Sequence, residues 1–162
     1  MTIPARLLTA ALILTLPGAA LAARRHAPAI QVTQAWSRPT PPAAPTAVGY
    51  LTVENHGRRP DRLVRLSSPA ADQVRVHAMS MTGGVMRMRP VEGGLDIPAG
   101  GQVTLDAHGD HLMFEGLKHP FKRGGHIPVT LVFEHAGSVR VSLAVQDDEP
   151  GARMAGMAMP KP

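Results

Sequence analysis

The chain has 162 residues, a formal net charge of +5 with its histidines neutral, nine methionines and no cysteine. Without cysteine we expect no disulfide, no thiolate nucleophile, no thiolate metal site and no cysteine-linked lipoprotein anchor. The cations are scattered singly, and only five residues are aromatic. A nucleic-acid-binding surface, which joins a basic patch to stacking platforms, is therefore not expected.

The first 22 residues have the composition of a signal peptide. Arg6 supplies a positive charge, an apolar run covers residues 7–16, and Ala20 and Ala22 form a small-x-small motif directly before the expected cleavage site. This order of features is typical of exported proteins, and cleavage after Ala22 would release a periplasmic protein whose residues 23–29 form a flexible N-terminus. No second apolar run approaches the roughly 20 residues that a transmembrane helix needs, so we expect no membrane span after signal removal.

Residues 30–149 are predicted to form one all-β domain, because short runs rich in β-branched residues alternate with Gly, Pro and Asn. The proline-rich segment 39–45 is typical of a polyproline-like loop. Residues 150–162 have the composition of a disordered tail. The predicted strands lie at 30–36, 48–54, 62–67, 73–81, 85–91, 102–106, 111–114, 127–134 and 139–145.

The segment around the Gly83-Gly84 pair predicts a hairpin that carries methionines on one face. Side chains two residues apart on a strand share a face, so His77 lies on the same face as the next two methionines. A two-residue Gly-Gly turn would place Met81 opposite Met86 and Met79 opposite Met88. Sequence alone thus brings one histidine and four methionines together. The alternative is that these methionines only fill space, as flexible thioethers often do in protein cores.

A second strand carries the same combination of residue types in His111 and Met113. These residues lie two positions apart, about 6.6 to 6.8 Å along the strand, so both side chains can reach one point in front of the sheet. Together with His77 and Met88 they give the spacing His-x10-Met-x22-His-x-Met. Two imidazoles and two thioethers form a soft, largely neutral donor set, which suits Cu(I) better than zinc, calcium or magnesium.

Three segments of the chain, residues 76–91, 97–101 and 111–118, resemble the PCuAC family of periplasmic copper chaperones. The resemblance extends over about residues 30–145 and implies a cupredoxin-like antiparallel β-sandwich with an exposed Cu(I) site. It also implies that copper is passed to cytochrome c oxidase and that the ligands are His77, Met88, His111 and Met113. The second gap is one residue longer than in the family pattern, which leaves Met86 as a competitor for Met88.

Other side chains are candidates for a supporting or secondary copper site, including one for Cu(II). The remaining hairpin methionines would be outer or alternate donors, and His108 lies only three residues before His111. The tail methionines resemble the methionine motifs of copper transport proteins, although an incidental low-complexity tail explains them equally well. These candidates are Met79, Met81, Met86, His108, Met154, Met157 and Met159.

The function that these features favour is copper transfer by ligand exchange, not catalysis. The expected acceptor is the copper-accepting subunit of cytochrome c oxidase, reached either directly or through a Sco-type protein, and we expect the protein to be a monomer. A periplasmic copper buffer that confers resistance would use the same ligands and is the strongest alternative. A β-sandwich adhesion or carbohydrate-binding module is weaker, because such modules normally display several aromatic side chains on one face.

Overall fold

The computed structural model describes residues 29–148 and residue 150, and they form ten β-strands. Nine of them match the nine predicted strands within three residues at each end. The predicted signal peptide, most of the predicted flexible N-terminus and most of the methionine-containing tail lie outside the described residues. The strands are β1 (Ile30–Ser37), β2 (Thr46–Asn55), β3 (Asp61–Ser67), β4 (Ala71–Thr82), β5 (Val85–Pro90), β6 (Leu95–Ile97), β7 (Gln102–Leu105), β8 (His111–Leu117), β9 (His126–Phe133) and β10 (Gly137–Val145).

All ten strands belong to one sheet that curls back on itself. Nine follow the order β5-β4-β8-β2-β1-β10-β9-β3-β6, β7 pairs with β2, and a β3–β4 pairing closes seven strands into a barrel. The prediction of an all-β domain is confirmed. The expectation of an entirely antiparallel sheet is not met at one pairing: β1 and β10 are parallel. These strands come from the two ends of the domain, so no tight hairpin dictates their relative direction.

The barrel interior is filled by alternate residues of its strands, as the period-two pattern requires. Inside it, Phe114 meets Phe121 edge to face at 5.3 Å. Trp36 packs on Tyr50 at a ring distance of 4.7 Å on the outer face, because Tyr50 alternates with the core residue Leu51. Among the described residues, no helix is long and apolar enough to cross a membrane. The largest fully buried side chains are Phe114, Phe121, Ile30, Leu51, Leu63, Ile97, Leu105, Leu112, Leu131 and Leu143.

Asp61, at the start of β3, ties this strand to the turn between β9 and β10. Asp61 is 8% exposed, and its carboxylate accepts hydrogen bonds from the backbone N–H groups of Arg62 at 2.7 Å, His135 at 3.0 Å and Ala136 at 2.8 Å. Burial alone raises the pKa of Asp61, but these three donors and the nearby His135 side chain outweigh it and leave the pKa below its usual value. As an anion, the carboxylate therefore stabilises the contact between β3 and the β9–β10 turn.

The β4–β5 hairpin has a different character from the barrel. All six residues of β5 are exposed, and β5 is the terminal strand of the sheet, paired only with β4 among the described residues. β4 is longer, so its first half is a barrel strand and its second half supports the hairpin.

Candidate metal centre

The hairpin turn sets the positions of the methionines. Gly83 and Gly84 have φ angles of 59° and 77°, values that glycine adopts without steric cost and that match the twist of a two-residue hairpin. The resulting register pairs Met79 with Met88 and Met81 with Met86, as the Gly-Gly turn predicts. Because the directly paired residues share a face, the four thioethers form a two-by-two block on one side of the hairpin.

The two histidines face each other on neighbouring strands. In the β4–β8 ladder His77 is directly opposite His111, and their rings lie 6.2 Å apart at an angle of 50°. Both are largely covered, with 8% of His77 and 4% of His111 exposed. The neighbouring residues Val76 and Leu112 point into the core, so the histidines lie on the opposite face of the sheet. The fold thus joins two residues that are distant in sequence.

The thioethers lie on both sides of this histidine pair. Met113 is two residues beyond His111 and directly opposite Arg75, so it lies on one side of the pair. Met79 and Met88 face each other on the other side, and the Met81–Met86 pair is one step farther along the hairpin. All seven side chains share one face of the three strands β5, β4 and β8. Of the two competing hairpin donors, Met88 is therefore nearer to His77 than Met86 is.

His77 has a nitrogen without a partner. Its Nε2 is buried and, among the described residues, is the only buried side-chain nitrogen or oxygen with no hydrogen bond. The nearest carboxylate oxygen, Oε1 of Glu115, is 4.0 Å away, beyond hydrogen-bonding distance. Burial lowers the pKa of His77; Glu115 opposes this shift, whereas His111 and Arg75 add to it. The imidazole is therefore neutral, as a metal ligand must be.

His111 is held by a backbone carbonyl. Its Nδ1 lies 3.2 Å from the carbonyl oxygen of Gly109. A carbonyl oxygen can only accept a hydrogen bond, so this contact places the proton of the neutral ring on Nδ1. The lone pair of Nε2 is then free for a metal, the arrangement found at many histidine metal sites.

The sulfur donors are far more accessible than the nitrogens. The exposed fractions are 68% for Met81, 57% for Met86 and 55% for Met88, while Met79 and Met113 are half-buried. These values do not fit the alternative in which the hairpin methionines fill a protein core, because three of them contact little protein. Four of the five large hydrophobic side chains that are exposed among the described residues, including Val85, lie on this hairpin.

The remaining candidates differ in how well they are placed. His108 is exposed in the β7–β8 turn, and its backbone N–H donates to the Asp106 carboxylate at 2.7 Å. Met154, Met157 and Met159 lie outside the described residues. Within residues 29–148, no three His, Cys, Asp or Glu side chains come together in a metal-holding arrangement. The cluster on β5, β4 and β8 instead combines two imidazoles with thioethers, a donor set that fits Cu(I).

Sequence reasoning missed two groups beside the histidines. Glu115 approaches His77, and the Gly109 carbonyl contacts His111. The position of Glu115 had a signal, because it follows Met113 by two residues and therefore shares its face of β8. No sequence signal predicts the contact of the Gly109 carbonyl with His111, because every residue type has a backbone carbonyl.

Comparisons with known proteins agree with this structure. The LpqE-like family model, described as "Putative lipoprotein LpqE-like", matches residues 30–145, and the chain belongs to this family. A relative from Leifsonia xyli subsp. xyli, named "Putative lipoprotein Lxx21020", is 32% identical over 132 residues, which are 82% of this chain and 78% of the relative.

Two solved structures carry the comparison further. The copper-bound PCuAC domain from PmoF2 superposes with a TM-score of 0.63 at 27% identity, covering 74% of this chain and 94% of that domain. The Cu(I) form of DR1885 from Deinococcus radiodurans gives a TM-score of 0.57 at 30% identity, covering 83% of this chain and 89% of DR1885. The PCuAC resemblance and the cupredoxin-like β fold that the motifs predict are confirmed.

Proposed function

We propose that this protein is an exported metallochaperone that binds Cu(I) and passes it on by ligand exchange. The observation that carries the proposal is the His77–His111 pair. Two imidazoles lie on adjacent strands, and one of them has a buried nitrogen with no partner in the described structure. A buried polar atom without a partner costs roughly 1–3 kcal/mol, so a bound ion, ligand or ordered water is expected at such an atom. Its surroundings are thioethers, which favour Cu(I).

The proposed ligands are His77 and Met88 from β4 and β5, with His111 and Met113 from β8. Copper is the cargo of the protein, and the two histidines would form its stable support because the barrel holds both rings. Met88 is 55% exposed, so an incoming sulfur or nitrogen donor can displace it without unfolding the site. Met79, Met81 and Met86 would then hold the ion transiently along the hairpin face. Such a transfer exchanges ligands and needs no acid or base.

A methionine-rich site suits a compartment outside the cytoplasm. Thioethers do not titrate, whereas thiols and protonated imidazoles must lose a proton to bind metal. The site also needs no thiol, which an oxidising compartment would convert to a disulfide. Residues 1–22 are proposed to direct export to the periplasm, and the name of the Leifsonia relative, a lipoprotein, also fits an exported family. The 162 residues themselves include no cysteine to which a lipid could be attached.

The comparisons support copper as the cargo. The solved PmoF2 domain is a copper-bound PCuAC domain, and DR1885 has been solved with Cu(I). The acceptor follows from the family resemblance: the copper-accepting subunit of cytochrome c oxidase, reached directly or through a Sco-type protein. The tail methionines are proposed as a secondary Cu(I) donor, and a secondary site for Cu(II) is a separate proposal.

A copper buffer is the main rival, because it would use the same donors. The exposure of the hairpin thioethers favours transfer, since a storage site gains from being enclosed. The structure speaks against the carbohydrate-binding alternative. All five aromatic residues, Trp36, Tyr50, Phe114, Phe121 and Phe133, are at most 6% exposed and offer no stacking surface.

Two measurements test the proposal. The purified protein is titrated with Cu(I) against a chromophoric Cu(I) chelator, and the loaded protein is then mixed with the apo, soluble copper-binding domain of oxidase subunit II. If the protein is a chaperone, copper should pass from it to that domain faster than the chelator removes copper from it. Retention of copper in the presence of excess acceptor would identify a buffer, and failure to compete with the chelator would refute copper binding itself.

A further inference from the structure

The His111 ring depends on a turn that contains no proposed copper ligand. Its Nδ1 contacts the carbonyl oxygen of Gly109 at 3.2 Å. Gly109 belongs to the five-residue connection between β7 and β8, which ends directly before His111. The position of this carbonyl therefore decides where the ring proton resides and where the Nε2 lone pair points.

The turn itself is organised by one carboxylate. Oδ1 of Asp106 accepts hydrogen bonds from the backbone N–H groups of His108 at 2.7 Å and Gly109 at 2.8 Å. The backbone N–H of Asp106 donates to the carbonyl of Asp110 at 2.8 Å, which closes the turn. Gly109 does not adopt a positive φ, so its glycine character does not explain the conformation. The Asp106 side chain fixes the peptide on the N-terminal side of Gly109 and thereby restrains the carbonyl that follows.

We propose that Asp106 is a positioning residue for copper binding: through the turn it holds the Gly109 carbonyl against His111 Nδ1, which keeps His111 Nε2 as the metal-binding nitrogen. This inference rests on the proposed function, because it gives a task to the orientation of His111. Asp106 lies outside the ligand motif and would influence His111 only through the hydrogen bonds of the turn. Asp106 does not contact the ion.

The matched variants are Asp106→Ala, Asp106→Asn and Gly109→Ala. Asp106→Ala removes the acceptor of both N–H groups, whereas the amide oxygen of Asp106→Asn can still accept them. A Cβ atom at Gly109 would lie 3.5 Å from Asp106 Oδ1, an ordinary contact, so Gly109→Ala keeps both the carbonyl and the turn. Loss of a partner that orients a metal-binding histidine typically lowers metal affinity about 10- to 100-fold. We expect that loss for Asp106→Ala only.

The decisive readout is the tautomer of His111 in the metal-free protein, measured by long-range proton–nitrogen NMR correlation. The wild type, Asp106→Asn and Gly109→Ala should show the proton on Nδ1, and Asp106→Ala should show a mixture. Combining Asp106→Ala with His111→Ala should weaken Cu(I) binding no further than His111→Ala alone. An unchanged tautomer in Asp106→Ala, or a further loss in the double variant, would overturn the inference. If the wild type binds no Cu(I), the proposed function fails, while the tautomer measurement still tests the link between Asp106 and His111.

Discussion

The barrel wall and the β4–β5 hairpin contribute opposite halves of the proposed copper site. Strands β4 and β8 hold His77 and His111 almost completely covered, with one ring fixed by a backbone carbonyl. The hairpin presents Met86 and Met88 with more than half of each side chain exposed. The nitrogen donors are therefore preorganised by packing, whereas the sulfur donors are accessible and their unbranched side chains are flexible.

This difference suits a protein that must both hold and release a metal. A site made only of buried donors would bind copper but exchange it slowly, because a partner could not reach the ion. A site made only of exposed thioethers would lose side-chain entropy on binding and would bind weakly. In the proposed site, the rigid imidazoles would define the position of the ion while the thioethers are replaced in turn.

The barrel should be most sensitive to loss of its core. Phe114 is fully buried and packs edge to face on Phe121, so Phe114→Ala should lower the free energy of unfolding by about 3–5 kcal/mol. Urea denaturation followed by the fluorescence of Trp36 measures this loss. Met86→Ala on the exposed hairpin is the matched control and should change the value by less than about 0.5 kcal/mol. Equal losses in the two variants would show that the hairpin is part of the cooperative core.

Removing an imidazole should abolish tight copper binding without loss of the fold. We expect His111→Ala to weaken Cu(I) affinity by more than the roughly 100-fold that loss of an orienting partner costs. His77→Leu should bind copper equally poorly, yet its free energy of unfolding should not fall, because the substitution removes a buried nitrogen that has no hydrogen bond in the described structure.

Chelator competition measures the affinity of both variants, and circular dichroism with urea denaturation checks their folding. Wild-type affinity in either variant would remove that histidine from the ligand set. A marked destabilisation of the metal-free His77→Leu protein would show that the His77 nitrogen has a partner, such as ordered water, in solution.

The Asp61 carboxylate gives the barrel a stability that depends on pH. Its folded pKa lies below its ordinary value, so its contribution is present above the unfolded pKa of about 3.9 and is lost as the pH falls through the folded pKa. Asp61→Asn should lower the free energy of unfolding by about 1–3 kcal/mol at pH 7, because one of its three backbone donors then meets an amide instead of an oxygen. Urea denaturation between pH 7 and pH 3 should show the two proteins converging at acid pH. A constant difference across that range would mean that the Asp61 charge does not contribute.

Most of the fold could be predicted from local patterns. The nine predicted strands are present because alternating β-branched residues and Gly or Pro breaks are local signals, and the Gly83-Gly84 turn sets the hairpin register by its own geometry. The three residues of β6, Leu95–Ile97, are too few to show an alternation. The parallel pairing of β1 with β10 joins opposite ends of the domain, so no local pattern reports it.

The candidate site could be predicted in parts but not as a whole. Alternation places His77 with the hairpin methionines and His111 with Met113. Their meeting depends on the β4–β8 pairing, which joins residues more than thirty positions apart and is decided by the packing of the whole barrel. The burial of His77 Nε2 is likewise a tertiary property, and it separates His77 from an ordinary surface histidine.

The smallest expected effects separate the hairpin methionines from one another. Met88 lies opposite Met79, next to the histidine row, whereas Met86 lies opposite Met81, one step farther away. Met88→Leu keeps the approximate volume and apolar character of the side chain but replaces the thioether by a branched aliphatic chain that cannot bind metal. It should therefore weaken Cu(I) affinity about tenfold, which corresponds to about 1.4 kcal/mol. Met86→Leu should change the affinity less than twofold but should slow copper transfer to an acceptor, since its thioether would serve only during exchange. Chelator competition and stopped-flow transfer measured on the same two variants separate these roles. A larger affinity loss for Met86→Leu than for Met88→Leu would mean that the hairpin shifts its register or bends when it binds copper. The site would then consist of fixed nitrogen donors and of sulfur donors that move together with their strand.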